Sequence, residues 1–399
     1  MRSRSLDGIT VVTVEQAVSA PFATRQLADL GARVVKVERP DGGDFARSYD
    51  QTVEGLSSAF VWANRGKRSI AVDIKTPLGA EVLERLLASA DVFVHNLSPA
   101  AARRAGLDVA AVSERHPEVI PCAVAGYAAD GPCWDARAYD MLIQGEAGII
   151  SVTGQGDDMA KVGISIADIA ASMYAVTGIL SSLWHRERTG EILPVEVSMF
   201  DSLVEWEGYP LFYAAYGGTH PARIGTSHPT IAPYGAFVTA DGIPVLIAVQ
   251  NDREWERLCT EFLDRPELLH DARFADMSLR VANRVALDEV IADRFARRSH
   301  ADILEALQDA GIAHSRIRDL HEVSRHPELT DRGRWIPTGT PVGEIRTLVP
   351  PTMTAPEEGF GRVPALGEDT EEVLAGLGYG QDEIDDLLQA QAILGREPR

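Results

Sequence analysis

The chain has 399 residues, too many for one compact core, so two or three domains are expected. Its 45% hydrophobic and 24% charged residues are those of an ordinary soluble globular protein. A formal net charge of −21 argues against nucleic acid or anionic membrane as partners, and any anionic ligand needs a local basic patch. The opening MRSRSLDGITVV lacks the apolar core of a signal peptide, and apolar runs are broken by charge well short of a membrane span. Cys122, Cys133 and Cys259 are too few and too scattered for a disulfide framework or a metal site. A cytoplasmic setting without metal is the expectation.

In chain order, residues 8–17, GITVVTVEQA, are β-branched and read as a buried strand. Residues 20–32, APFATRQLADLGA, place Pro near a helix start and Gly31 at its end. A second strand, RVVKVER at 33–39, follows at once. Further strands are expected over 90–97 and 118–127, with a helix over 77–90. Strands alternating with helices imply an α/β fold with an open, parallel, Rossmann-like sheet. The turn after the first strand has no G-x-G-x-x-G, and TGQGDD at 153–158 lacks a strand-to-helix setting, so a nicotinamide oxidoreductase is disfavoured. Glu38-Arg39 at the second strand's end suits a phosphate better than a free ribose.

A basic patch runs through Arg65, Lys67, Arg68 and Lys75 against the single acid Asp73, with Lys36, Arg39 and Arg47 upstream. A solvated charged face explains such a cluster equally well. Residues 161–184 read as an apolar helix with one acid, Asp168, at its mouth. Ser165-Ile-Ala-Asp168 fits a capping box, a device that contributes about 0.5–2 kcal/mol. Spacing alone makes Asp168 a cap. A helix N-terminus also favours its ionised form, and Ala167, Ala170, Ala171 and Ser172 leave room beside it.

Near 216 the texture changes to Gly, Pro, Thr and His, a loop or linker. Residues 236–250 read as a β-hairpin turning at ADG, and helices are expected over 283–298 and 300–312. The domain reading is a large part over 1–215, a smaller α+β domain over 225–330, and a C-terminal segment over 331–399 that returns to the large domain.

Several stretches coincide with one family. They are PFATRQLADLGARVVKVERPDGGDFAR at 21–47, NRGKRSIAVDIKTPLG at 64–79, DVFVHNLSP at 91–99, AGYAADGP at 125–132, YDMLIQGEAGIISVTG at 139–154, GISIADIAA at 163–171, HPELTDRGRW at 326–335 and PALGEDTEEVLAGLGY at 364–379. Over essentially its whole length the chain resembles the class III (CaiB/BaiF) CoA-transferases. The resemblance implies a Rossmann-like large domain built from both chain ends, a small domain between, and an interlocked-ring homodimer. It implies acyl-CoA and a small carboxylic acid as substrates, with no permanently bound cofactor.

The resemblance implies that Asp168 is a nucleophile that attacks the acyl-CoA and carries CoA as an aspartyl thioester. It places coenzyme A against Arg39, Val72, Lys75, Asn96, Leu97, Arg104 and Arg137. Val18 stands where oxalate-using members carry glutamine, which argues against oxalate. The family's glycine-rich loop has no plain equivalent; GTSHPTIAPYG at 225–235 occupies that region, so His228 either faces substrate or is a loop histidine. Ser172 replaces a common glycine. Tyr139 stands where racemases of 2-methylacyl-CoA carry histidine, and a tyrosine with a pKa of about 10 is a poor base at neutral pH. The branch most resembled acts on C4–C5 dicarboxylates such as citramalate, malate, mesaconate or itaconate, with succinyl-CoA as donor. Arg47 or Arg65 would meet the second carboxylate. The alternatives are an acyl-CoA racemase and a non-catalytic CoA-binding protein.

Overall fold

The structure is a computed structural model that describes residues 4–395. Residues 1–3 of the opening stretch and the last four of the 331–399 segment lie outside the described residues.

Six strands run parallel: β1 (Thr10–Val14), β2 (Arg33–Glu38), β3 (Lys67–Val72), β4 (Val92–His95), β5 (Ile120–Ala125) and β6 (Val195–Ser198). Their order across the sheet is β3-β2-β1-β4-β5-β6, with the C-terminal strand Ile393–Leu394 added antiparallel beside β3. β1 (TVVTV) and the body of β2 (RVVKVE) are near-continuous β-branched runs because both faces are buried. Val11, Val34 and Val92 face one core, and Val12, Val35 and Phe93 face the other. The order reverses between β1 and β4, the switch point at which open α/β sheets leave a crevice.

On the first face lie α1 (Ser19–Asp29) and the long helix, numbered α3 (Ile166–Thr189), with α2 (Asp140–Ala147) between them in sequence. Small residues Ala167, Ala171 and Ala175 let α3 approach α1 closely, against Ala20, Ala23 and Leu27. An 18-residue stretch of α3 reaches a mean hydropathy of 1.5. By length and composition it could cross a membrane, which corrects the expectation that apolar runs stop well short of that span. Its packing is that of a core helix.

Two compact units emerge. One gathers Met1–Ile149, Lys161–Leu211 and Glu328–Arg399; the other gathers Ile150–Ala160 and Phe212–Pro327. The second unit holds an antiparallel sheet of Tyr234–Val238, Pro244–Ala248 and Ala313–Arg316. Val238 pairs with Pro244 around the ADG turn, over a core of Phe237, Phe262, Leu287 and Phe295.

Part of the basic patch is interior: Lys36, Arg65 and Lys67 are buried, while Arg39 and Lys75 are exposed. Lys36 and Lys67 converge on the buried Glu15, with Nζ to Oε1 distances of 3.4 and 2.6 Å. Lys36 also binds Asp44 at 2.7 Å. Burial drives the Lys67 ammonium down to about 7, against the pull of Glu15. Arg47 grips Glu38 bidentately at 2.9 and 2.7 Å. Burial opposes Glu38's charge, but the Arg47 contacts outweigh it and hold the carboxyl at about 2. Arg65 is 1% exposed and donates to both Asp29 oxygens, to Thr347 Oγ1 and to Leu348 O. Arg65 is thus buried on Asp29, while Arg47, partly exposed, is paired with Glu38.

Arg65→Ala should therefore cost about 3–5 kcal/mol, because it leaves the buried Asp29 with only Arg25, Nε to Oδ2 3.6 Å, as a counter-charge. Chemical denaturation would read this as a lower midpoint; an unchanged midpoint would mean that Asp29 reaches water instead.

Candidate active site

The site is built on the turn between β1 and α1. Ala17 adopts φ 62°, an uncommon left-handed conformation for a residue with a Cβ. Asp44 Oδ1 accepts from the Ala17 N–H at 3.0 Å. From the end of β4, Asn96 Oδ1 accepts from Gln16 N at 2.9 Å, while its Nδ2 donates to Gln16 O at 2.7 Å and Ser19 Oγ at 3.3 Å. The turn is thus clamped from both sides of the switch point. It delivers Ser19, whose hydroxyl and backbone N–H face Asp168 and favour its ionised form. Ser172 Oγ lies 2.5 Å from Ser19 O and 2.6 Å from Asp168 O, tying α3 to α1.

The expected capping box does not form: Ser165 is the N-cap of α3 but its side chain caps nothing. Asp140, the first residue of α2, does that work from a distance in sequence. Its Oδ1 accepts from Ala167 N at 2.9 Å and Asp168 N at 3.4 Å. Its Oδ2 accepts from Gln144 Nε2 at 2.7 Å, and Gln144 Oε1 in turn accepts from Val162 N at 2.9 Å. Sequence reasoning missed Asp140. The one available signal was the Asp140/Gln144 pair at i,i+4 beside the polar start of the apolar helix.

Asp168 is half-buried at this helix mouth. Burial and then the Asp140 charge raise its carboxyl to about 7, with Ser19 pulling the other way. The expectation of an ordinary, fully ionised aspartate is corrected by this, since the helix terminus is already neutralised by Asp140. Tyr49, also missed, stands nearby: burial and the charges of Asp44, Asp168 and Tyr139 push its phenol up to about 12.

The remaining candidates fall into distinct places. Arg39, Lys75, Arg104 and Arg137 are exposed cations, with Arg39 Nε donating to Gly43 O at 2.8 Å. Asn96 is occupied in clamping the turn. Leu97 lines an adjoining cleft. Val72 is 1% exposed and packs in the second core, at the end of β3. Val18 is buried as the N-cap residue of α1, and Tyr139, 66% exposed, precedes α2. His228 belongs to the second unit, where its ring stacks on Tyr234 and Nδ1 accepts from Thr230 N.

Residues 6–370 match the model of CoA-transferase family III. The chain belongs to that family. It is 33% identical to a succinate–glutarate CoA-transferase of Agrobacterium fabrum, covering 94% of this chain and 96% of that one. It is also 33% identical to a succinyl-CoA:mesaconate CoA-transferase of Haloarcula hispanica, covering 96% and 99%. Among solved structures, a CaiB/BaiF family protein from Brucella suis superposes with a TM-score of 0.81 at 33% identity, covering 94% of this chain and 100% of that one. The protein is a CoA-transferase that uses acyl-CoA as a substrate.

Two measurements test the electrostatics of this CoA-transferase's site. The raised carboxyl makes the ionised form of Asp168 appear only as pH passes about 7, so kcat/KM should climb through that region. Asp140→Asn, which keeps an acceptor oxygen but loses the charge, should move that limb to lower pH. Stability should show the same shift with opposite benefit. A folded-state pKa above the unfolded value means stability is lost as pH rises from about 4 to about 7. Asp168→Asn should accordingly raise Tm by about 2–6 °C at pH 8 and by much less at pH 4.5.

Proposed function

We propose that the enzyme moves coenzyme A from succinyl-CoA to a C4–C5 dicarboxylate, with Asp168 as the covalent carrier. The observation that carries this reading is Asp168 at the mouth of α3 beside the β1–α1 turn, tied to Ser19 O through Ser172 and raised to about 7. Relatives named as succinyl-CoA:glutarate, succinyl-CoA:mesaconate and succinyl-CoA–D-citramalate CoA-transferases support the donor and the acceptor class.

Asp168 attacks the succinyl-CoA carbonyl, forming a mixed anhydride and releasing CoA thiolate. The thiolate attacks the aspartyl carbonyl, giving aspartyl-CoA thioester and free succinate. The acceptor carboxylate attacks that thioester, and the released thiolate takes the new acyl group, restoring Asp168. A carboxylate suits this role because its anhydride keeps the acyl group activated through both exchanges. The Ser19 N–H and hydroxyl hold the attacking oxygen in place before the thioester arrives.

Arg39, Lys75, Arg104 and Arg137 supply the exposed charge for CoA phosphates in a protein of net charge −21. Asn96 also holds the turn, and Val72 sits buried at the end of β3. The exposed aromatic residues Trp184, Trp206 and Tyr209 favour a homodimer, for which the interlocked topology is the reading. Buried thiols at Cys122 and Cys259 with a free Cys133 suit a reducing, cytoplasmic setting. Tyr139 in place of a histidine base keeps racemisation as the lesser reading.

Hydroxylamine added during turnover with succinyl-CoA should leave a hydroxamate on Asp168, located by peptide mass spectrometry. Asp168→Ala should lower kcat by at least about a thousandfold. Full activity in that variant, or deuterium entering the α-carbon without acyl exchange, would rule the mechanism out. An acceptor panel with succinyl-CoA should yield new CoA esters of glutarate, mesaconate or citramalate, and none of monocarboxylates.

A further inference from the structure

A second cleft, ≈ 520 Å³, opens at the carboxyl ends of β4, β5 and β6. That volume lies within the range of small-molecule sites. Its floor is made by alternate residues of the strands: His95 from β4, Ala123 and Ala125 from β5. The two alanines leave the space that larger side chains would fill.

His95 is the informative group. It is 4% exposed, and neither ring nitrogen has a hydrogen-bond partner. A buried polar group left unmet is costly, and native folds rarely tolerate one. Here both nitrogens belong to a side chain that lines a cleft open to solvent. Burial, opposed by the Asp108 charge, lowers its pKa to about 4, so the imidazole is neutral at physiological pH and keeps a lone pair to accept a proton donor.

The rim carries the opposite character to the floor. Asp108, Asp130, Glu196 and Asp201 line the cleft against one guanidinium, Arg103, which stacks over the Trp134 ring at 4.2 Å. Four carboxylates against one cation repel CoA phosphates and a dicarboxylate alike, so this cleft suits neither substrate. Among the described residues no group of three or more His, Cys, Asp or Glu is arranged to hold a metal ion. The remaining match is an organic cation with an apolar body.

We propose that this cleft is a binding site for a small aliphatic diamine. One ammonium donates to the His95 lone pair and the inner carboxylate Asp108. The methylene stem lies on Ala123, Ala125 and Val197, and the second ammonium meets Glu196 and Asp201 at the rim. The cleft shares Leu97 with the residues that the family resemblance sets against coenzyme A, and the proposal stands whether or not Asp168 is the covalent carrier.

Calorimetric titration of the full chain with 1,5-diaminopentane tests it, with glutarate as the charge-inverted molecule of equal carbon count. One site per chain is expected, with affinity falling as salt rises. Glu196→Gln, an exposed and fold-neutral change, should weaken binding about tenfold, and Glu196→Gln with Asp201→Asn further still. His95→Asn should weaken it too, and Asp168→Asn should bind as wild type does. The proposal is overturned if the diamine gives no saturable heat, if the Glu196 and Asp201 variants bind it unchanged, or if glutarate displaces it.

Discussion

Two carboxylates meet at one helix mouth, and the rest of the site is arranged around that constraint. Asp140 accepts from the Ala167 and Asp168 amides, so the positive end of α3 is neutralised before Asp168 can use it. Asp168 is then left half-buried beside a like charge, with Ser19 as its stabilising partner. A carboxylate held this way is less comfortable ionised than in water, which in the proposed role would make it a more reactive nucleophile. The arrangement also explains why the fold tolerates it: Asp140 is fixed to Gln144, and Gln144 to the chain that leads into α3.

Ser19 is only useful if the β1–α1 turn is rigid, and rigidity comes from charge buried beneath it. Glu15 accepts from the hydroxyls of Thr13 and Thr24 at 2.8 and 2.7 Å while also meeting Lys67 and Lys36. Asp44 joins Lys36 to the strained Ala17 amide. Breaking any one partner would strand a charge, so the network resists local rearrangement. Lys36 and Lys67, two members of the basic patch, are spent here.

The alternation of strands and helices was legible because buried parallel strands carry β-branched runs, as in TVVTV and RVVKVE. The hairpin at ADG was legible from its turn residues. β3 was not, because KRSIAV opens with two cations and only the fold shows that Lys67 faces Glu15. Ser165 and Asp168 had capping-box spacing, yet the cap came from Asp140, and no local pattern encodes a contact across 27 residues. Asp168 itself was picked out as the acid at the mouth of α3, but its raised pKa depends on a neighbour that spacing could not supply. Val72, taken from a family position, has its side chain in the core, which its place at the end of KRSIAV did not reveal.

Carbon-13 NMR of aspartate side-chain carboxyls, with Asp168 assigned by substitution, measures the central quantity without any substrate. The account predicts a titration midpoint for Asp168 near 7. A midpoint near 4, where an unperturbed aspartate titrates at about 3.9, would contradict it.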